Sequence, residues 1–285
     1  MKRDGLVLGM PEAEYHGVGE FSEFATAEFS SSAAKEILKT PAHYKHVYLD
    51  GHREKKKAWD IGTAVHSKVL GVGAATVTCP KELLAKNGAM STSDAKAWKA
   101  EQEAAGLIVV SAEEQAKIEN IVESVMAHKL ARAWLELPGH SEASLFATDP
   151  ETGLRLRCRF DRMPDDERAA IDLKTTIDAS PNGFSKRAHD LGYHVSRAHY
   201  LHTARLAGHE RQEMVFIAVE TTAPHLVAVY QLSQVFADRG ERRARLARQR
   251  LLQCRESGHW PGYSTGLEFL DEPAYAMYQD ETENL

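Results

Sequence analysis

Four residues in this chain have the types and spacing to do chemistry together. Asp161 ends the charged side of LRLRCRFDRM, Asp172 and Lys174 stand two apart in AAIDLKTT, and His66 lies in DIGTAVH. Two carboxylates held close repel each other unless a cation neutralises them or one takes a proton. Oxygen donors of this kind suit Mg²⁺ or Mn²⁺. A lysine beside a metal-held water can orient it and help it lose a proton, while the metal stabilises charge building on a phosphate. That is equipment for phosphodiester hydrolysis. The other reading of Asp172 and Lys174 is a surface ion pair, because D-x-K tripeptides are common.

The elements that must position these groups are legible as periodicities. In LRLRCRFDRM, Leu154, Leu156, Cys158 and Phe160 fall on one face, and Arg155, Arg157, Arg159 and Asp161 on the other. In AAIDLKTT, Asp172 and Lys174 share a face. If the two strands pair and pack their apolar sides on a common core, both carboxylates emerge together beside Lys174. Arg157 and Arg159 share the face of Asp161, which makes them candidate DNA contacts. His66 lies four residues after Gly62, so the two share a helix face. Glycine inside a helix costs about 1 kcal/mol relative to alanine, and persists where a backbone or ligand must come close.

Around these segments the chain reads as a helix led by Ser30–Ser32 and stopped at Pro41, the His66 helix ending at Gly71, and a polar helical stretch over about 80–135. SEASLFAT, LRLRCRFDRM and AAIDLKTT are spaced as an antiparallel meander. Helices over about 181–207, strands in EMVFIAVETT and HLVAVYQLS, and an arginine-rich helix over about 234–255 follow. The layout is α/β, a mixed central β-sheet flanked by helices. It is read as one domain over 1–285: a mainly helical part to 135, a sheet core over 136–232, and an arginine-rich helix and acidic tail from 233.

A net charge of −6 and a pI near 6.2 exclude a bulk basic field, so nucleic acid must be met by local patches. Cys79, Cys158 and Cys254 are far apart and form no C-x-x-C pair, which argues against disulfides, zinc and an iron–sulfur cluster and fits a reducing cytoplasm. Neither a signal-peptide core nor an apolar run of membrane-span length is present. The absence of G-x-x-x-x-G-K-[ST] argues against a helicase-coupled nuclease, and no nucleotide cofactor is expected. ADRGERRARLARQR reads as a solvated or subunit-facing helix, HREKKK as a charged loop, and Ser30–Ser32 as helix capping with a terminal 5′-phosphate as the alternative.

Taken in order, G-x-x-x-H, R-x-R-x-D, I-D-x-K-T-T and a helix bearing a tyrosine resemble the PD-(D/E)xK nuclease superfamily, with its restriction-endonuclease-like core. More narrowly they are similar to the RecE or exonuclease VIII type of phages and prophages. DIGTAVH, HSEASLFATDPETGLRLRCRFDRM, IDLKTT, LGYHVSRAHY and WPGY follow in family order over most of the chain. The resemblance implies that His66, Asp161, Asp172 and the carbonyl of Leu173 hold Mg²⁺ or Mn²⁺, and that Lys174 is the catalytic lysine. Tyr200 matches the tyrosine of the family's Q-x-x-x-Y helix, whereas Ser196 stands at the glutamine position and Arg197 beside it becomes a candidate phosphate contact. Glu142 is a candidate extra acid. The resemblance further implies a 5′ to 3′ exonuclease on linear double-stranded DNA, leaving 3′ single-stranded tails. It implies a ring-shaped homo-oligomer and a single-strand annealing partner of the RecT kind. Another nuclease of the superfamily, including a site-specific endonuclease, or a non-catalytic DNA-end-binding recombination protein, remain the alternatives.

Overall fold

The computed structural model describes residues 4–16, 28–52 and 61–272. In chain order the elements are β1 (Gly5–Val7), α1 (Glu12–His16), α2 (Ser31–Lys39), α3 (Pro41–Tyr44, continued by a wider turn over Lys45–Leu49), α4 (Ile61–Leu70), β2 (Thr76–Thr78), α5 (Ser93–Ala104), β3 (Ile108–Val110), α6 (Ala112–Ala127), α7 (Lys129–Leu135), β4 (Gly139–Thr148), β5 (Arg155–Pro164), β6 (Ala169–Thr176), α8 (Pro181–Asp190), α9 (Tyr193–Leu206), β7 (Glu213–Glu220), β8 (Val227–Tyr230) and α10 (Gln234–Ser257).

The principal sheet runs β1-β4-β5-β6-β7-β8. The meander β4-β5-β6 is antiparallel, as its spacing predicts. β7 then lies parallel to β6 after a crossover through α8 and α9, so the sheet is mixed and flanked by helices. Both faces are covered. On one, Ile171, Leu173, Val215 and Ile217 pack against Ala64 and Val65 of α4 and Ile118, Ile121 and Val125 of α6. On the other, Cys158, Phe160, Ala170 and Phe216 pack against Phe184 of α8 and Tyr193 and Ala204 of α9.

Three expectations are revised. The apolar sides of β5 and β6 do not share one core, because Phe160 and Leu173 belong to opposite clusters. Pro41 does more than stop a helix: it opens α3 as its first residue, where its missing N–H costs nothing, and the Thr40 hydroxyl accepts the His43 N–H. The stretch over 80–135 is not wholly helical, since β3 pairs in parallel with β2 in a small separate sheet. Of HREKKK, residues 53–57 lie outside the described residues.

Candidate active site

α4 buries Ala64 and Val65 against the sheet and so presents His66 to it. The His66 Nδ1 is 3.0 Å from the Gly62 carbonyl, and its Nε2 is 3.1 Å from Asp161 Oδ2. A carbonyl only accepts, so Nδ1 carries a proton. Nε2 therefore faces a carboxylate with a bare lone pair unless it is also protonated or a cation comes between. Burial opposes charge on this imidazole, but Asp161 outweighs it and raises the His66 pKa.

Asp161 sits where β5 and β6 part. Arg162 and Ile171 stand in register across the two strands, and the next inward N–H, that of Leu173, donates instead to Asp161 Oδ2 at 2.7 Å. On β6, Asp172 Oδ2 is 2.7 Å from Lys174 Nζ, which also donates to the Leu173 carbonyl at 3.4 Å and lies 5.5 Å from the Tyr193 ring centre. Alternation puts Asp161 on the face away from Phe160, and Asp172 on the face of Ala170, which is Phe160's own. The two acids meet through the fork between the strands and not from a shared face. Their environments drive them apart. Burial works against charge on both. His66 and Lys174 hold Asp161 below the usual carboxylate range, whereas desolvation, with the charge of Asp161, keeps Asp172 above it despite Lys174. Burial also opposes charge on Lys174, yet Asp172 and Asp161 raise its pKa and keep it an ammonium.

Glu142 lies across β4 from Asp161, between the pairs Ser141–Arg162 and Ala143–Phe160. It holds a left-handed φ of 51°, a strained value for a non-glycine residue. Burial, then the Asp161 charge, pushes its carboxyl up to about 7, with Arg159 Nη1 at 3.5 Å. Among the described residues no group of three or more His, Cys, Asp or Glu side chains is gathered tightly enough to hold an ion as the side chains stand. They are paired with one another instead. The donor set nonetheless suits a divalent cation: desolvated carboxylate oxygens, a peptide carbonyl, and an imidazole whose Nδ1–H is already spent on Gly62.

The arginines expected at DNA are placed otherwise. Arg157 is 2% exposed and donates to the Tyr15 carbonyl at 2.6 Å. Arg159 is 8% exposed, donates to Ser144 and to the Met10 carbonyl, and lies 4.1 Å from the Tyr15 ring centre. The segment carrying α1 covers both, a cover no local pattern around β5 announces. Arg197 is turned to Glu213 through Nε and through Nη2 at 2.9 Å, away from any phosphate on the catalytic side. Ser196 accepts from Lys35 Nζ at 3.2 Å. Tyr200 rests edge-on against Phe160, and burial first, with the charges of Asp172 and Asp161 contributing, drives its hydroxyl pKa upward. Ser30 caps α2, accepting the Ala33 N–H at 3.2 Å. Tyr193, beside Lys174, carries no signal in the sequence beyond opening a helix.

No curated protein matches the chain. Among solved structures, a Eubacterium rectale protein presumed to be an exonuclease aligns over 96% of this chain and 98% of its own, with 13% identity and a TM-score of 0.60, a likeness of fold. The alkaline exonuclease of Laribacter hongkongensis aligns over 67% of this chain and 97% of its own, with 13% identity and a TM-score of 0.27, too low to weigh. The model of the family described as a PDDEXK-like domain of unknown function (DUF3799) matches residues 30–273. That span takes in His66, both aspartates and Lys174, and the chain belongs to this PDDEXK-like family.

Proposed function

We propose that this protein is a divalent-metal-dependent exodeoxyribonuclease that hydrolyses linear duplex DNA from its 5′ ends and leaves 3′ single-stranded tails. The observation that carries this reading is the meeting of His66, Asp161, Asp172 and Lys174 from α4, β5 and β6 at one fork in the sheet. The fold likeness to the Eubacterium rectale protein supports it.

His66 Nε2, the two aspartates and the Leu173 carbonyl would hold the metal, Mg²⁺ in our reading with Mn²⁺ as a substitute. Bound there, it supplies Lewis-acid stabilisation of charge developing on the phosphate. Lys174 is kept protonated by its acidic neighbours, so it acts as a hydrogen-bond donor that orients the attacking water and balances charge on the phosphoryl oxygens. Attack on phosphorus breaks the bond to the 3′ oxygen and leaves a 5′-phosphorylated nucleotide. Tyr200 packs edge-on against Phe160 of β5, the residue next to Asp161. A ring-shaped homo-oligomer, a RecT-like annealing partner, and a place in phage-type recombination in the cytoplasm belong to this same reading and rest on the RecE-like resemblance.

A time course on linear duplex labelled at either the 5′ or the 3′ end, with Mg²⁺ or with chelator, tests it. Mg²⁺-dependent release should begin at the 5′ label. Asp172→Ala and Lys174→Ala should each lower the rate by at least about 10²-fold. Digestion by both variants at the parent's rate, or cutting of covalently closed circles as fast as of linear DNA, would count against the assignment.

A further inference from the structure

A cavity of about 280 Å³ opens between α9, α10 and the turn before β7, and no residue of the catalytic cluster lines it. Glu213, which anchors its wall, lies level with Ala169, three residues before the position of Asp172, or about 10 Å along the strand. Five arginines line the cavity: Arg197, Arg205, Arg211, Arg245 and Arg248. Facing them are three lining carboxylates, Glu151, Glu210 and Glu241.

The arginines are held in place by groups behind the wall, and their spare donors remain. Arg197, 6% exposed, spends Nε and Nη2 on Glu213. Its buried Nη1 has no hydrogen bond, and the exposed Glu241 stands off at 3.7 Å. Arg248, 5% exposed, directs Nε to the buried Asp149 at 2.8 Å. Arg211, 7% exposed, gives its two terminal nitrogens to the carbonyls of Glu210 and Pro164, and its buried Nε has no partner. His202 accepts from Arg205 Nη2 at 3.1 Å through Nδ1 and turns Nε2 to Asp149, so it is a neutral spacer and not a further cation. Burial, acting first, lowers the pKa of both Arg211 and Arg248, although Glu167 beside the one and Asp149 beside the other act to raise it.

Among the described residues Arg197 Nη1 and Arg211 Nε meet no hydrogen-bond acceptor, which is costly for a buried guanidinium nitrogen, and five guanidinium groups converge on the one cavity. Guanidinium forks match phosphate oxygens, and several forks can share one phosphate because it offers three acceptor oxygens. The cavity is larger than one phosphate requires, and Ala198, Leu201 and Ala244 give it an apolar side suited to a sugar or base. We propose that the arginine-lined cavity between α9 and α10 is a second site that binds the phosphate group of a nucleotide, separate from the catalytic fork. The phosphate belongs either to a free mononucleotide or to a DNA strand, and the inference stands whether or not the fork hydrolyses DNA.

Calorimetric titration of the full chain in chelator tests this, with deoxyadenosine 5′-monophosphate, deoxyadenosine, inorganic phosphate and a short single-stranded oligonucleotide as probes. Arg205 and Arg245 are exposed rim residues, so R205E/R245E leaves the core intact. It should weaken binding of the phosphate-bearing probes by about tenfold or more, while Lys174→Ala leaves that binding unchanged and deoxyadenosine does not bind. Glu241→Gln removes the carboxylate nearest Arg197 Nη1 and should tighten binding, a gain that misfolding cannot mimic. Binding of the mononucleotide assigns the site to free nucleotide, and binding of the oligonucleotide alone assigns it to a strand. No binding by any phosphate-bearing probe, binding untouched in R205E/R245E, or binding lost equally in Lys174→Ala overturns the proposal.

Discussion

Glu142 shows how much a single side chain can reveal about a site built from surplus negative charge. Its carboxyl is pushed up to about 7 by burial and by Asp161, from a value near 4.3 in an unfolded chain. The charged form is thus disfavoured in the fold. The penalty is absent below the unfolded pKa, grows between the two values, and is complete above the folded one. Glu142→Gln should therefore stabilise the metal-free protein at pH 8 and match the parent at pH 4. Since the side chain is 33% exposed, the gain is discounted to about 1 kcal/mol. Thermal melts of both proteins at the two pH values measure it, and equal melting at pH 8 would show the carboxylate to be well solvated. His66 carries the complementary lesson. Its pairing with Gly62 was readable as a four-residue spacing, but the consequence for the ring's protons appears only once Asp161 stands at 3.1 Å.

At the scale of elements, Arg159 separates two roles that look alike in a strand pattern. Its guanidinium bonds Ser144 and the Met10 carbonyl and lies over Tyr15. Arg159→Ala should cost about 2–4 kcal/mol of stability, since it strands buried acceptors and a ring face. The salt dependence of DNA affinity should keep its slope, whereas losing a phosphate contact would reduce that slope by about one. A melt and a salt titration of the same variant decide it. The strands of the meander, the crossover helices and the D-x-K strand were legible because period-two and period-3.6 patterns report burial directly. The inward turn of Arg157 and Arg159 was not, because alternation states which residues share a face and not what distant segment lies over it. β3 was missed because three apolar residues between two helices carry no period of their own. The fork was missed because a strand pair that opens after Ile171 is spelled in the same letters as one that continues.

For the molecule as a whole, the balance of charge at the fork predicts coupling between metal and stability. Binding to the folded state alone adds about 2.7 kcal/mol at roughly one hundred times Kd. Mg²⁺ should raise the melting temperature by several degrees, and Asp172→Ala should abolish that rise; a parent that melts identically in Mg²⁺ and chelator would argue against a metal at the fork. Among the described residues no helix is long and apolar enough to cross a membrane. Against a net charge of −6, the arginine-lined cavity gathers five guanidinium groups away from the catalytic strands. Arg157 and Arg159 are gripped by main-chain oxygens of Tyr15 and Met10 in the segment carrying α1. Trimming this stretch away would take the Tyr15 carbonyl from Arg157 and the Met10 carbonyl from Arg159, leaving Arg159 to Ser144 and Glu142 of β4.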